Sequence, residues 1–479
     1  MSYEASRACP YVRGAVALGA GVGLLGALLA LDAAWADGEA NPPSGQTYMP
    51  VVQGESLQEV MAADSKSRPG YTARAQQLLE RRYDLREDPS AVQMSGGRKT
   101  VQQGVRVRLP KGVGSWEELA ALEPQELRAG NLFPEGFLPL PHPKHAVGGM
   151  VFPVQQIERI RLLEGRSLER FDVEFDLPDH LTPEFPSPIF LTTRPELGDV
   201  SQGQLLSLAN YYQLMHGLLT PVQLEGLRRL LTPQPQQQFN PTADRKVEQA
   251  SLGVACLDCH ANGHTNGAFH LNPDTRPQAA RFRLDTVSLR GMFNQQLHGS
   301  KRSLRSVEDF TEFEQRTAYF DGDHVIAAKK GVDLPDRASQ VAMMAQMQNL
   351  FDFPPAPKLD RFGRLDPTKA TEQEKLGEEL FFGRARCADC HPAPFYLDDK
   401  MHDLQLERFY EPRLINEQWI HADGPIKTFT LRGIKDSPPY LHDGRLLTLE
   451  DTVEFFNLVL ELKLSAEEKA ALVAFMRQL

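Results

Sequence analysis

Cysteine is scarce in this chain, at 5 of 479 residues, and tryptophan scarcer, at 3. Cys9 lies in an apolar leader, and the other four, which in an exported protein would ordinarily suggest disulfides, fall in two five-residue stretches. Positive charge is in deficit: Lys and Arg total 52 against 63 Asp and Glu, a formal net charge of -11. That disfavours nucleic acid, whose phosphates want a basic face, and permits a partner with a basic patch. Past Leu31 no stretch is long and apolar enough for a membrane span of about 20 residues. With 41% hydrophobic and 24% charged residues the chain can bury a core, and its length suits two or three domains of about 150 residues each.

The leader carries Arg7 and Arg13, an apolar run from Gly14 to Leu31, and Ala34-Trp35-Ala36 before Asp37. This predicts a signal peptide over 1–36 and a periplasmic protein; the alternative is an uncleaved membrane anchor. Either way the remainder lies outside the cytoplasm.

The four remaining cysteines read CLDCH, Cys256 to His260, and CADCH, Cys387 to His391. One zinc site is a poor match, because the pairs lie 387 − 256 = 131 residues apart. A redox disulfide needs no histidine after each second cysteine. Covalent haem attachment needs all three residues: Cys256 and Cys259, or Cys387 and Cys390, form thioethers, and His260 or His391 ligates iron. Two haem c groups are therefore expected.

Around these motifs the chain divides into a region of unassigned role (37–244), a first haem domain (245–355) and a second (356–479). In the N-terminal region Gly104–Pro110 and Arg170–Pro178 alternate like short strands, and 205–231 reads as two helices broken at Thr220-Pro221. Pro233 to Thr242 is a linker. An internal repeat follows the haem motifs. Leu289-Arg290-Gly291 matches Leu431-Arg432-Gly433, Leu297-His298 matches Leu441-His442, Glu308-Asp309 matches Glu450-Asp451, and Glu312 to Glu314 matches Glu454 to Phe456. Ser465 with Glu468 predicts the cap of a last helix. The expected fold is mainly α: two cytochrome c-like haem domains in tandem after an irregular region with some short strands.

With two C-x-x-C-H motifs, TFTLRGI, and PPYLHDGRLLTLEDTVEFF from Pro438 to Phe456, the sequence resembles the bacterial dihaem cytochrome c peroxidases and MauG over its last half. The resemblance implies a peroxidatic first haem, an electron-transfer second haem, and calcium between the haem domains. It implies hydrogen peroxide as substrate and a small cytochrome or cupredoxin as electron donor. A MauG-like oxidisable substrate, a non-catalytic electron-transfer cytochrome, and a polymer-cleaving oxygenase like the related rubber oxygenases are the rival readings. A distal carboxylate is implied at Glu314, with Glu312 the fallback; His298 leads His264 and His270 as a further pocket residue. Two departures stand out. Phe456 occupies the place of the family's Met or Tyr iron ligand, leaving Met401 or His402 as candidates. His298 stands where the family has a Trp.

Overall fold

Capping chemistry decides where the main helices begin. The computed structural model describes residues 56–141, 150–166, 168, 177–234, 254–271, 283–318, 324–329, 337–415 and 418–479. Its longer helices are α1 (Leu57–Arg82), α2 (Val154–Glu164), α3 (Pro221–Leu231) and α4 (Val307–Ala318), then α5 (Ala342–Gln348), α6 (Glu372–Phe382), α7 (Leu449–Val459) and α8 (Ala466–Met476). Ser56, Thr220, Thr371, Thr448 and Ser465 cap α1, α3, α6, α7 and α8 through reciprocal capping boxes. Each box satisfies two of the backbone donors that a helix start orphans. The break at Thr220-Pro221 and the Ser465 cap follow the expectation, while helix before the break covers only Tyr211–Met215. The expected leader, the strand at 170–176 and most of the 233–242 linker lie outside the described residues. No described helix is long and apolar enough to cross a membrane.

Strands are short. Met150–Val151, Phe269–Leu271 and Arg283–Asp285 form an antiparallel three-stranded sheet, and the rest are two-stranded pairs. Gly104–Pro110, expected as a strand, makes only a single bridge, Tyr83 to Val107. Its neighbouring backbone donors go elsewhere: Arg106 N–H and Val107 N–H donate to the Asp451 carboxylate at 2.7 and 2.9 Å.

The repeat is visible in the backbone with a constant offset of 142 residues. Gly291 and Gly433 are both left-handed and each begins a short 3-10 turn, 292–294 and 434–436. Adding a Cβ to Gly291 would drive into the Phe353 ring, and to Gly433 into Pro354, so both turns lean on the same connecting segment. His298 pairs with Leu304 as Tyr440 pairs with Leu446. Positive φ recurs at Gly299 and Leu441, and at Arg302 and Gly444. α4 and α7 keep the same offset. This corrects the sequence alignment at one point: His298 corresponds to Tyr440, not His442.

The repeat also extends upstream. α3 packs on α5 through Gly226, where a Cβ would strike the Met343 carbonyl. α6 packs on α8 through Gly377, where a Cβ would strike the Ala471 carbonyl. In each half, then, a Thr-capped helix before the haem motif crosses a later helix at a glycine. α3 lies inside the 37–244 stretch that the sequence presents as one region. Burial divides that stretch further. Leu78, Tyr83, Leu119, Phe133 and Phe137 share a core with α6, α7 and α8. Ile189, Leu206, Leu227 and Leu230 share another with Leu257, Met292 and Met344. Phe152, Ile157 and Ile160 pack with Ala261 and Cys259.

Candidate functional site

Both cysteine motifs begin as tight turns, Cys256–Cys259 and Cys387–Asp389. None of the four thiols is in a disulfide. His260 Nδ1 lies 2.8 Å from the Val287 carbonyl, and His391 Nδ1 lies 2.8 Å from the Tyr396 carbonyl. A carbonyl only accepts, so each Nδ1 carries the proton and each Nε2 is the basic nitrogen suited to a metal. The Val287 and Tyr396 carbonyls thus set tautomer and ring orientation together. Burial favours neutral His391 and lowers its pKa, which suits a ligand. Burial also pushes Cys259 well up and Cys387 to about 12, so these thiols stay protonated in the bare polypeptide. Two thiols and an imidazole of fixed tautomer, at each of two places, fit a covalently held haem.

The first motif is the more strongly anchored. Asp258 Oδ2 accepts the Ala255 N–H at 2.7 Å, and Arg166 grips the carboxylate at 2.7 and 3.0 Å. The Asp258 carbonyl accepts from Asn266 Nδ2 at 2.8 Å and from Gln156. The matching Asp389 is exposed and meets only the surface residue Arg386, at 3.0 Å.

Glu314, on α4, is half-buried, and its charge is among those that raise the Cys259 thiol. It therefore lies within electrostatic reach of the first haem motif. Glu312 is half-buried on the same helix. His298 is buried, its ring 6.4 Å from Phe310. Burial lowers its pKa, Lys427 adds to this and Asp399 opposes it, so it faces residues of the second half. His264 is locked: Nε2–H donates to the Asp436 carbonyl at 3.0 Å and Nδ1 accepts from Ser288 Oγ at 2.8 Å. With both ring nitrogens engaged it is structural. The His270 side chain lies outside the described residues.

At the second motif Phe456 takes the position equivalent to Glu314. It is half-buried against the core that includes Cys387 and meets Phe455 edge-on at 5.2 Å. Met401 is half-buried in a two-residue strand opposite Lys427. His402 Nε2 is taken by Asp398 at 2.8 Å, and its charge contributes to lowering His391, which places it near that motif. No cluster of three His, Cys, Asp or Glu side chains that could hold a metal ion occurs among the described residues, so the expected calcium gains no support.

No family model matches the chain. Among curated proteins it is similar to the cytochrome-c peroxidase IdrP2 of Denitromonas iodatirespirans, 31% identical over 158 residues, covering 25% of this chain and 43% of that one. It is similar to the cytochrome-c peroxidase IdrP1 of Pseudomonas sp. (strain SCT), 28% identical over 163 residues, with 25% and 43% covered. It is also similar to the methylamine utilization protein MauG of Methylorubrum extorquens, 30% identical over 157 residues, with 29% and 43% covered. These likenesses are to cytochrome-c peroxidases and to MauG, the proteins that the two C-x-x-C-H motifs resemble. The matches span less than half the length of these relatives.

Two features of the chain carry no motif. Arg166 comes from a segment far from either motif in sequence, and only the shared Asp of CLDCH and CADCH signals that something must answer Asp258. The HDGR stretch is equally opaque. Arg445 is fully buried between Asp443 at 2.8 Å and Asp423 at 2.9 Å, while Asp443 accepts the Leu140 N–H at 2.8 Å. Tyr83 Oη donates to the Arg445 carbonyl at 2.8 Å. HDGR therefore fastens the N-terminal segment to the second half.

Proposed function

We propose that the protein is an exported dihaem c-type peroxidase that reduces hydrogen peroxide at the first haem, with electrons relayed through the second. The observation that carries the reading is the asymmetry of the repeat. The position that holds a carboxylate beside the first motif, Glu314, holds a hydrocarbon, Phe456, in the second. Haem bound at Cys256, Cys259 and His260 would supply the redox centre. The Val287 carbonyl fixes the His260 tautomer, so that Nε2 would be the nitrogen that ligates iron. Glu314 takes a proton from the near oxygen of peroxide and returns it to the leaving oxygen, ordinary general acid–base work. Cys387, Cys390 and His391 would hold the second haem, and Phe456 would offer it no ligand, which leaves Met401 as the candidate. His402 is the weaker candidate, because Asp398 occupies its Nε2. Lys427, buried between Gln295 Oε1 at 3.2 Å and Asp399 Oδ1 at 3.5 Å, joins the two halves. The electron donor is a small redox protein of the periplasm.

Similarity to MauG favours one second reading, an oxidase that draws electrons from a protein or other oxidisable substrate through the same haem pair. Intact mass after denaturation, followed by reaction with peroxide, tests the proposal. Two retained haems and a rapid peroxide-dependent spectral change are expected. A mass of one haem or none overturns the dihaem reading, and two haems inert to peroxide leave an electron-transfer cytochrome.

A further inference from the structure

The two attachment motifs carry the same aspartate, as CLDCH and CADCH, in opposite surroundings. Asp258 has a side chain only 3% exposed and is held bidentately by Arg166, itself 12% exposed. Glu164, 9% exposed, binds the other side of Arg166 at 2.9 Å. Asp389 and Arg386 are 58% and 64% exposed, so solvent screens that pair. The contrast is anchored on both sides. Glu164 also accepts the Leu208 N–H at 3.1 Å, and Asp258 caps the turn through Ala255 N–H. Arg166 lies directly beyond α2 and its Gly165 cap, so a segment remote from the motif delivers this charge.

We infer that Arg166 is a positioning residue for the first haem: by neutralising Asp258 it holds the Cys256–His260 turn and sets that haem's reduction equilibrium apart from the second. The inference rests on the haem-binding reading above. Fixed charges in a low-dielectric surrounding act strongly on a nearby redox centre, and exposed ones weakly. Loss of the cation leaves Asp258 and Glu164 uncompensated, which favours the oxidised, more positive haem. Loss of the Asp258 charge does the reverse. A purely structural role would move both variants the same way.

The experiment is a spectroelectrochemical titration of the holo-protein and its Arg166→Gln, Asp258→Asn, Arg166→Lys and Asp389→Asn variants, with intact mass measured on each. One haem wave should fall in Arg166→Gln and rise in Asp258→Asn, each by roughly tenfold in the reduction equilibrium, or about 59 mV for one electron. Arg166→Lys should stay near the parent, and Asp389→Asn should shift the second wave by less than Asp258→Asn shifts the first, because solvent screens the exposed charge. Shifts of one sign in the first two variants, or no shift, overturn the inference. If Arg166→Gln gives no folded protein, the remaining variants decide: a rise in Asp258→Asn with Arg166→Lys unchanged upholds it, and any other pair of results overturns it. A parent that retains fewer than two haems sinks the haem reading itself, whereas two haems without opposed shifts sink only the role of Arg166.

Discussion

Replacing Asp451 should separate the N-terminal segment from the helix that follows the second haem loop. The Asp451 carboxylate is fully buried and accepts four backbone N–H groups. Arg106 and Val107 donate to Oδ1 at 2.7 and 2.9 Å, and Leu447 and Thr448 to Oδ2 at 3.0 and 3.3 Å. Asparagine keeps one accepting oxygen and turns an amide N–H₂ toward two of these donors. Two orphaned buried N–H groups cost about 1–3 kcal/mol each. Against this, burial raises the carboxyl pKa from 3.8 to about 6 despite the four bonds, so removing the charge returns about 3 kcal/mol at neutral pH. As pH falls toward the unfolded value of 3.8 that return shrinks to under about 1 kcal/mol, and it vanishes once Asp451 is protonated in folded and unfolded chains alike. The sign follows from linkage. The folded chain binds this proton more tightly than the unfolded one, so the residue's contribution to stability is greatest below about pH 4. It declines as pH rises toward about 6, then stays flat. Asp451→Asn should therefore cost little at pH 7 and about 2–6 kcal/mol at pH 4, with the cost growing steadily between. Urea unfolding of the holo-protein, followed by far-ultraviolet circular dichroism across that pH range, measures it. A parent-to-variant difference that is independent of pH would refute the reasoning.

Glu314→Gln should leave both haems attached and slow the peroxide reaction by about 10²–10⁴-fold, measured by stopped-flow absorbance; an unchanged rate would move the proton role to Glu312 or His298. Gly377→Ala should destabilise the second half by about 1–3 kcal/mol in chemical denaturation, because the new Cβ meets the Ala471 carbonyl, and a neutral result would mean α6 and α8 do not cross there. Phe456→Met should produce a Met-ligated low-spin haem with a raised potential in absorption and redox titration. Phe455→Met should do neither, since Phe455 is fully buried against Phe137 at 5.3 Å. A parent-like Phe456→Met spectrum would show that this position does not face the second haem.

Much of the site was legible because its chemistry is local. Two thiols and an imidazole in five residues announce themselves, and Ser465 with Glu468 announces a helix start. The slip at His298 has a physical cause. Sequence matching rewards the identical Leu-His pairs, but the fold conserves backbone conformation at Gly299 and Leu441 and at Arg302 and Gly444, where residue types differ. Gly104–Pro110 misleads for a related reason. Its alternation suits a strand, yet Arg106 and Val107 give their N–H groups to Asp451, a partner 345 and 344 residues away. Arg166 was invisible because a single arginine among many carries no pattern until the fold brings it to Asp258.

The two halves share a backbone and differ in where they keep charge. A glycine crossing of helices, a left-handed turn leaning on Phe353 or Pro354, and a carbonyl on each histidine recur in both. Around the first motif stand a buried Arg166–Asp258 pair and the Glu314 carboxylate. Around the second stand Phe456, the edge-on rings of Phe381, Tyr396 and Phe475, and the Asp398–His402 pair, with Asp389 left in solvent. Proton transfer needs a titratable group near the reacting oxygen and a fixed field around it, while electron transfer needs neither. The direction of the proposed division of labour, chemistry in the first half and relay in the second, is the one the resemblance implies, and the exchange of the Glu314 carboxylate for the Phe456 ring agrees with it.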